Sequence, residues 1–288
     1  MNAVERVEHY AYQTEVEAPP IIPDNRPPPG WPTSGAIKIE ELQMRYAPDL
    51  PLVLDGISLE IKDKEKIGVV GRTGSGKSSL MQALFRMVEP ASGKITISGL
   101  DASALGLEDL RSGLAIIPQD PVLFSGTVRT NLDPFGKYQD ADLWDALARA
   151  GLKEKVTDME DGLDGKIQEG GENLSVGQRQ LLCLSRAMLK KPRIIVMDEA
   201  TASVDYETDA VIQRSLREDF KDATILTIAH RLNTIIDYDR VLVLDGGRIA
   251  ELGTPAELLA LEDGKFRAMV EQTGATNSDM LKNIADHA

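Results

Sequence analysis

The 288-residue chain is 42% hydrophobic and 27% charged, ordinary for a globular protein and long enough for one large domain or two small ones. Its formal net charge of -14 argues against a nucleic-acid backbone as partner. One cysteine, Cys183, excludes an internal disulfide framework, and no apolar run is long enough for a membrane-spanning helix.

Residues 1–35 stand apart. NAVERVEHYAY reads as the tail of a helix that begins outside this chain, and EAPPIIPDNRPPPGWP as an extended, proline-stiffened linker. The charged and then proline-rich start is no secretory signal. From Ala36 onward, IKIEELQMRY and LVLDGISLEI alternate apolar and polar residues, which predicts antiparallel strands. KIGVVG is a short buried strand, KSSLMQALFRMV has helical spacing, and KITISG and LAIIPQ are further strands. The pattern is mainly helical from about Asp140 to Leu189. RIIVMD, ATILTIA and RVLVLD then return as buried strands, with a helix over Val204–Arg217. This alternation predicts an α/β fold with a parallel, doubly wound core. The N-terminal strands make an antiparallel β flank to it. Cys183, Met81, Met87, Met188 and Trp144 are assigned to the core, while Trp31 has no assigned role.

The segment Gly71, Arg72, Thr73, Gly74, Ser75, Gly76, Lys77, Ser78 matches a phosphate loop, placed as the mechanism requires between a strand and a helix. Backbone N–H groups of such a loop cradle phosphates, the Lys77 ammonium reaches the β/γ oxygens, and the Ser78 hydroxyl holds Mg²⁺. Ser79, next on the helix, joins the nucleotide-binding set. RIIVMDEA ends an apolar strand in Asp198, a carboxylate for the Mg²⁺, followed by Glu199, placed to polarise an attacking water. No guanine-reading N/T-K-x-D is present. Further on, Ser175 is a candidate N-cap, and Gly177 would let backbone approach an anion closely, yet the β-branched Val176 stands between them.

ENLSVGQRQ, lying after the phosphate loop and just before the strand ending in Asp198 and Glu199, resembles the signature motif of ABC ATPases. Tyr46 in MRYAP matches that family's adenine-stacking aromatic. Gln119 in IIPQDPVLF matches its sensor of Mg²⁺ and γ-phosphate. Ser203 to Asp205 matches its D-loop, and His230 in TIAHRL its switch histidine. The resemblance covers residues 36–272. It is closest to the second nucleotide-binding domain of C-subfamily transporters, the multidrug-resistance-associated group. The proline-rich lead-in is similar to that of fungal oligomycin-resistance-type permeases.

The resemblance implies a P-loop NTPase core with a helical signature subdomain at about 125–190 and a C-terminal tail at 273–288. It implies ATP and Mg²⁺ as ligands, and Glu199, His230 and Lys77 as the catalytic group. Ser175, Val176, Gly177 and Gln178 would cap a nucleotide held by a partner's phosphate loop, so the two halves of the chemistry serve different sites. Val176 would then be tolerated at a site where binding matters more than hydrolysis, or would simply point away from the nucleotide. The implied partners are the first nucleotide-binding domain and the membrane domains of one transporter, with weak self-pairing as an alternative and no nucleic acid. Gln119 and PVLFSGTV would dock the membrane domain on the cytosolic face of a plasma or vacuolar membrane. A nucleotide-sensing regulatory domain of a channel is the alternative function.

Overall fold

A computed structural model of the chain describes residues 3–12, 16–198, 204–229 and 231–285. Helix α1 (Ala3–Tyr12) leaves Val4, Val7 and Tyr10 exposed. Residues 16–35 form a strap across the surface. Strands β1 (Ile37–Met44) and β2 (Leu54–Ile61) pair antiparallel, as their alternation predicts, and bury Ile37, Ile39, Leu42 and Met44 on one face. Strand β3 (Lys66–Val70) leads through the phosphate loop into α2 (Lys77–Leu84). Next come β4 (Ser92–Ile97), β5 (Leu100–Asp101), α3 (Leu107–Gly113) and β6 (Leu114–Ile117).

A helical lobe follows, built from β7 (Gly126–Thr127), α4 (Val128–Leu132), α5 (Asp140–Arg149), α6 (Lys153–Thr157), β8 (Lys166–Ile167) and α7 (Val176–Lys190). The chain then re-enters the sheet with β9 (Ile194–Asp198), crosses by α8 (Tyr206–Glu218), and continues through β10 (Thr224–Ile228), β11 (Arg240–Asp245) and β12 (Arg248–Gly253). Helices α9 (Pro255–Ala260), α10 (Lys265–Glu271) and α11 (Ala275–Ala285) close the described chain.

The central sheet has the order β12-β11-β3-β10-β9-β6, parallel except for β12, which pairs antiparallel with β11. The flanking sheet has the order β2-β1-β4-β5. Strand β9 shows why its run is continuously apolar: Ile195 and Met197 enter the core of the helical lobe, while Ile194 and Val196 enter the core shared with the flanking sheet. Both faces are covered, so period-2 alternation disappears from the sequence. Strand β12, whose burial alternates, lies at the edge and was not anticipated.

Four expectations change. The linker is extended but docked: Pro19 and Pro20 carbonyls accept hydrogen bonds from the N–H groups of Leu107 and Glu108 at 3.0 and 2.9 Å. They thereby cap α3, which has no side-chain cap of its own. Arg111 pairs with Glu17 and Arg26 with Asp109, at 2.8 and 2.9 Å. Trp31 has a clear place, packed on the core with its Nε1 donating to the Ile97 carbonyl at 3.3 Å. Met87 is not a core residue but 60% exposed, because α2 ends at Leu84 and the chain turns outward. The expected tail instead forms α11, which buries Leu281 in the C-terminal core. Cys183 and Met188 are buried, Trp144 and Met81 partly so, as expected. Burial pushes the Cys183 thiol pKa up. The carboxylates between 158 and 172 are all exposed.

Candidate nucleotide site

The C-terminal ends of parallel strands form one edge, and the site residues leave from it. Val69 of β3 is in register with Ile228 of β10, and Ile228 with Asp198 of β9; Met197 of β9 pairs with Ile117 of β6. The phosphate loop starts two residues after Val69, and Gln119 lies two residues after Ile117. Ligands of open α/β sheets bind at such an edge. Glu199, Ser203 and His230 lie outside the described residues.

Within the loop, Gly74 and Gly76 take left-handed backbone conformations, with φ of 79° and 105°. Gly76 is the N-cap of α2 and supplies no side-chain cap, so the first N–H groups of the helix face the loop. The turn between β11 and β12 braces the loop from behind: Gly247 N–H donates to the Ser75 carbonyl at 3.1 Å. A Cβ at Gly247 would lie 2.5 Å from the Val53 carbonyl, so glycine is required there.

Lys77 is buried and turns back on its own loop, donating to the carbonyls of Gly71 at 2.8 Å and Arg72 at 3.2 Å. Burial lowers its pKa, and the Asp198 charge partly offsets that effect. The Ser75 hydroxyl is buried without a hydrogen-bond partner among the described residues. An uncapped helix, a desolvated ammonium and an orphaned hydroxyl fit a polyphosphate. Tyr46 stands beside α2, half exposed, its hydroxyl 2.9 Å from Ser79 Oγ. A base stacked on the Tyr46 ring would therefore sit next to the phosphate loop.

Among the described residues no cluster of three or more His, Cys, Asp or Glu could cage a metal. The exposed hydroxyl of Ser78, the Gln119 amide and the Asp198 carboxylate are a sparse set of hard oxygen donors. They suit a Mg²⁺ that draws its remaining ligands from water and phosphate.

The signature segment heads α7 in the helical lobe. Ser175 is its N-cap in a reciprocal box with Gln178: Ser175 Oγ accepts from Gln178 N–H at 3.1 Å, and Gln178 Oε1 accepts from Ser175 N–H at 3.0 Å. Val176 is 38% exposed, so the core does not dictate its choice. Gly177 also has a packing role inside the chain. It is buried, and a Cβ there would lie 2.7 Å from Thr208 Oγ1 and 3.1 Å from Asp205 Oδ2. Glycine is needed for α7 to approach α8 within the chain. Asp205 caps α8, accepting from the N–H and hydroxyl of Thr208, both at 2.9 Å, and these bonds lower its pKa. The head of α7 and the N-terminus of α8 thus touch.

Sequence reasoning missed Gln180 and Arg186 on α7 and Asn131 on α4, which hold the loop around Gln119. The available signal was a polar residue on the apolar face of a helix.

The family model for the ABC transporter matches residues 54–202, just over half of the chain. The chain belongs to the ABC transporter family. The ABC domain is 54% identical over 285 residues to ABC transporter C family member 3 of Dictyostelium discoideum, covering 99% of this chain and 20% of that protein. To human ATP-binding cassette sub-family C member 3 it is 55% identical over 272 residues, covering 94% and 18%. The ABC-type transporter cicA of Emericella nidulans is 50% identical over 299 residues, with 99% and 21% covered. The chain therefore spans about a fifth of the length of the relatives it matches. A bacterial Atm1-family ABC exporter solved with ATP bound superposes with a TM-score of 0.85 at 31% identity, covering 94% of this chain and 47% of that one. The ABC domain has a P-loop NTPase fold, and the relatives it matches include C-subfamily transporters.

Proposed function

We propose that the ABC domain binds Mg-ATP and closes head-to-tail on a second nucleotide-binding domain, powering export across a membrane. The observation that carries this reading is the separation of two half-sites. A phosphate loop with a buried, desolvated Lys77 lies at the sheet edge, and an exposed signature box lies at the head of α7. Lys77 and the uncapped end of α2 bind and orient the phosphates. Tyr46 orients the base. Mg²⁺, held by Ser78, Gln119 and Asp198, would neutralise phosphate charge. Glu199 would align the attacking water and His230 would hold the γ-phosphate. Ser175 to Gln178 would close over the nucleotide of the partner.

Exposed Val122 and Phe124, beyond Gln119, support the docking of a membrane domain at this loop. The C-subfamily likeness favours a place as the second domain of a transporter whose first domain supplies the other signature. A cytosolic face of the membrane follows from that assembly.

The test is the steady-state Mg-ATPase rate against protein concentration, with Glu199→Gln as the blank. A specific rate rising with concentration indicates that two copies assemble working sites and that Val176 permits hydrolysis. ATP binding without turnover above the blank indicates a requirement for a different partner signature. No binding of Mg-ATP at all would overturn the reading.

A further inference from the structure

Helix α7 reaches back to the loop containing Gln119 at two points. Gln180 is 1% exposed and donates from Nε2 to the Pro118 carbonyl at 3.0 Å. Arg186 donates to the Val122 carbonyl at 2.8 Å, and to the Asn131 carbonyl and Oδ1 at 2.6 and 2.8 Å. Asn131 in turn brackets Phe124, accepting from its N–H at 3.0 Å and donating to its carbonyl at 2.8 Å. The two anchors lie six positions apart on the helix, about 9 Å along the axis. The four residue steps of loop from Pro118 to Val122 reach up to about 14 Å. The loop is therefore long enough to bow between two fixed points, with exposed Gln119 and Asp120 on the arc.

The bond at Pro118 has a forced direction. Proline offers a carbonyl and no N–H, so Gln180 must present its amide nitrogen. Its Oε1 is left buried without a hydrogen-bond partner among the described residues. An unpaired buried acceptor is costly, and a methionine of similar size would avoid it. Stability alone therefore does not account for a glutamine at this position, whereas the bond to Pro118 does.

The geometry points to Gln180 as a positioning residue. By holding Pro118 it sets the direction of Gln119 relative to the phosphate loop. This rests on the reading of Gln119 as the γ-phosphate sensor.

The experiment is equilibrium titration of the chain with Mg-ATP and Mg-ADP, in the parent, Gln180→Met, Gln119→Ala and the double variant. Gln180→Met should keep its ADP affinity and lose on the order of three- to tenfold in the ATP-to-ADP affinity ratio, the worth of one hydrogen bond. On the Gln119→Ala background it should change that ratio no further. Gln180→Asn, an amide one methylene too short, should show the same fall and serves if the methionine variant does not fold. An unchanged ratio, an equal loss for both nucleotides, or an additive loss in the double variant would overturn the positioning role. A parent chain that binds neither nucleotide would instead overturn the reading of the site itself.

Discussion

The Lys77 ammonium lies 2.8 Å from the carbonyl oxygen of Gly71, the first residue of the phosphate loop. Carbonyls are weak partners for a buried cation, and burial holds the Lys77 pKa below its ordinary 10.5. Polyphosphate would replace them with an anion and raise that pKa again. Nucleotide binding should therefore take up protons just below pH 10.5, and affinity should weaken as pH rises through the lowered value. Calorimetry in two buffers of different ionisation enthalpy measures the uptake, which Lys77→Met should abolish. Equal heats from the parent in both buffers would count against the assignment.

Tyr46 offers a ring and a hydroxyl, and the hydroxyl is occupied by Ser79 at 2.9 Å. Tyr46→Phe should weaken nucleotide binding no more than about fivefold, the loss of one neutral hydrogen bond. Tyr46→Ala should weaken it by roughly tenfold or more, since a stacked base is worth about 1–3 kcal/mol. Fluorescence titration with labelled ATP separates the two. Equal affinities for Phe and Ala variants would remove the stacking role.

At Gly177, helix propensity and packing oppose one another. Alanine would favour the helix by about 1 kcal/mol, but its methyl would sit 2.7 Å from Thr208 Oγ1. The contact should win, leaving Gly177→Ala destabilised by about 1–2 kcal/mol in urea unfolding. Adding Thr208→Ala removes the obstructing oxygen and should recover part of the loss. Strict additivity of the two substitutions would show that they do not meet.

Tyr238 is buried against Thr227, hydroxyl to hydroxyl at 3.0 Å, and burial pushes its pKa up to about 12 from 10.0. Between those values the unfolded chain loses the phenol proton before the folded chain does. Stability should thus fall as pH rises from about 10 to 12, by roughly 1.4 kcal/mol per unit from this group. Comparing unfolding of the parent and Tyr238→Phe across that range isolates it, because the variant lacks the slope. Parallel curves would refute the shift.

What could be read in the sequence follows from where each signal originates. Phosphate-loop glycines and the Ser175 cap act over a few residues, so local spacing reveals them. The buried strands β9 and β10 show as short apolar runs because both of their faces are covered. Gly177 also lies in a motif, yet its packing constraint comes from Thr208, 31 positions along the chain, which local spacing does not reveal. Trp31 was silent because its partners, Ile97 and Gly113, are distant in sequence. The strap shows the same limit: proline content foretold extension, while the α3 N–H groups that its carbonyls satisfy could be found only in three dimensions.

Strand β9 leaves a mark on how such a chain can drift. Its neighbours Ile195 and Val196 belong to different cores, and two residues later the same backbone delivers Asp198 to the site. A volume change accepted in the helical lobe is passed through this strand to the opposite core and onward to the carboxylate. Substitutions there are therefore not free to accumulate lobe by lobe. Divergence between relatives should be slow along β9 and faster along β12, whose outer side borders no second core.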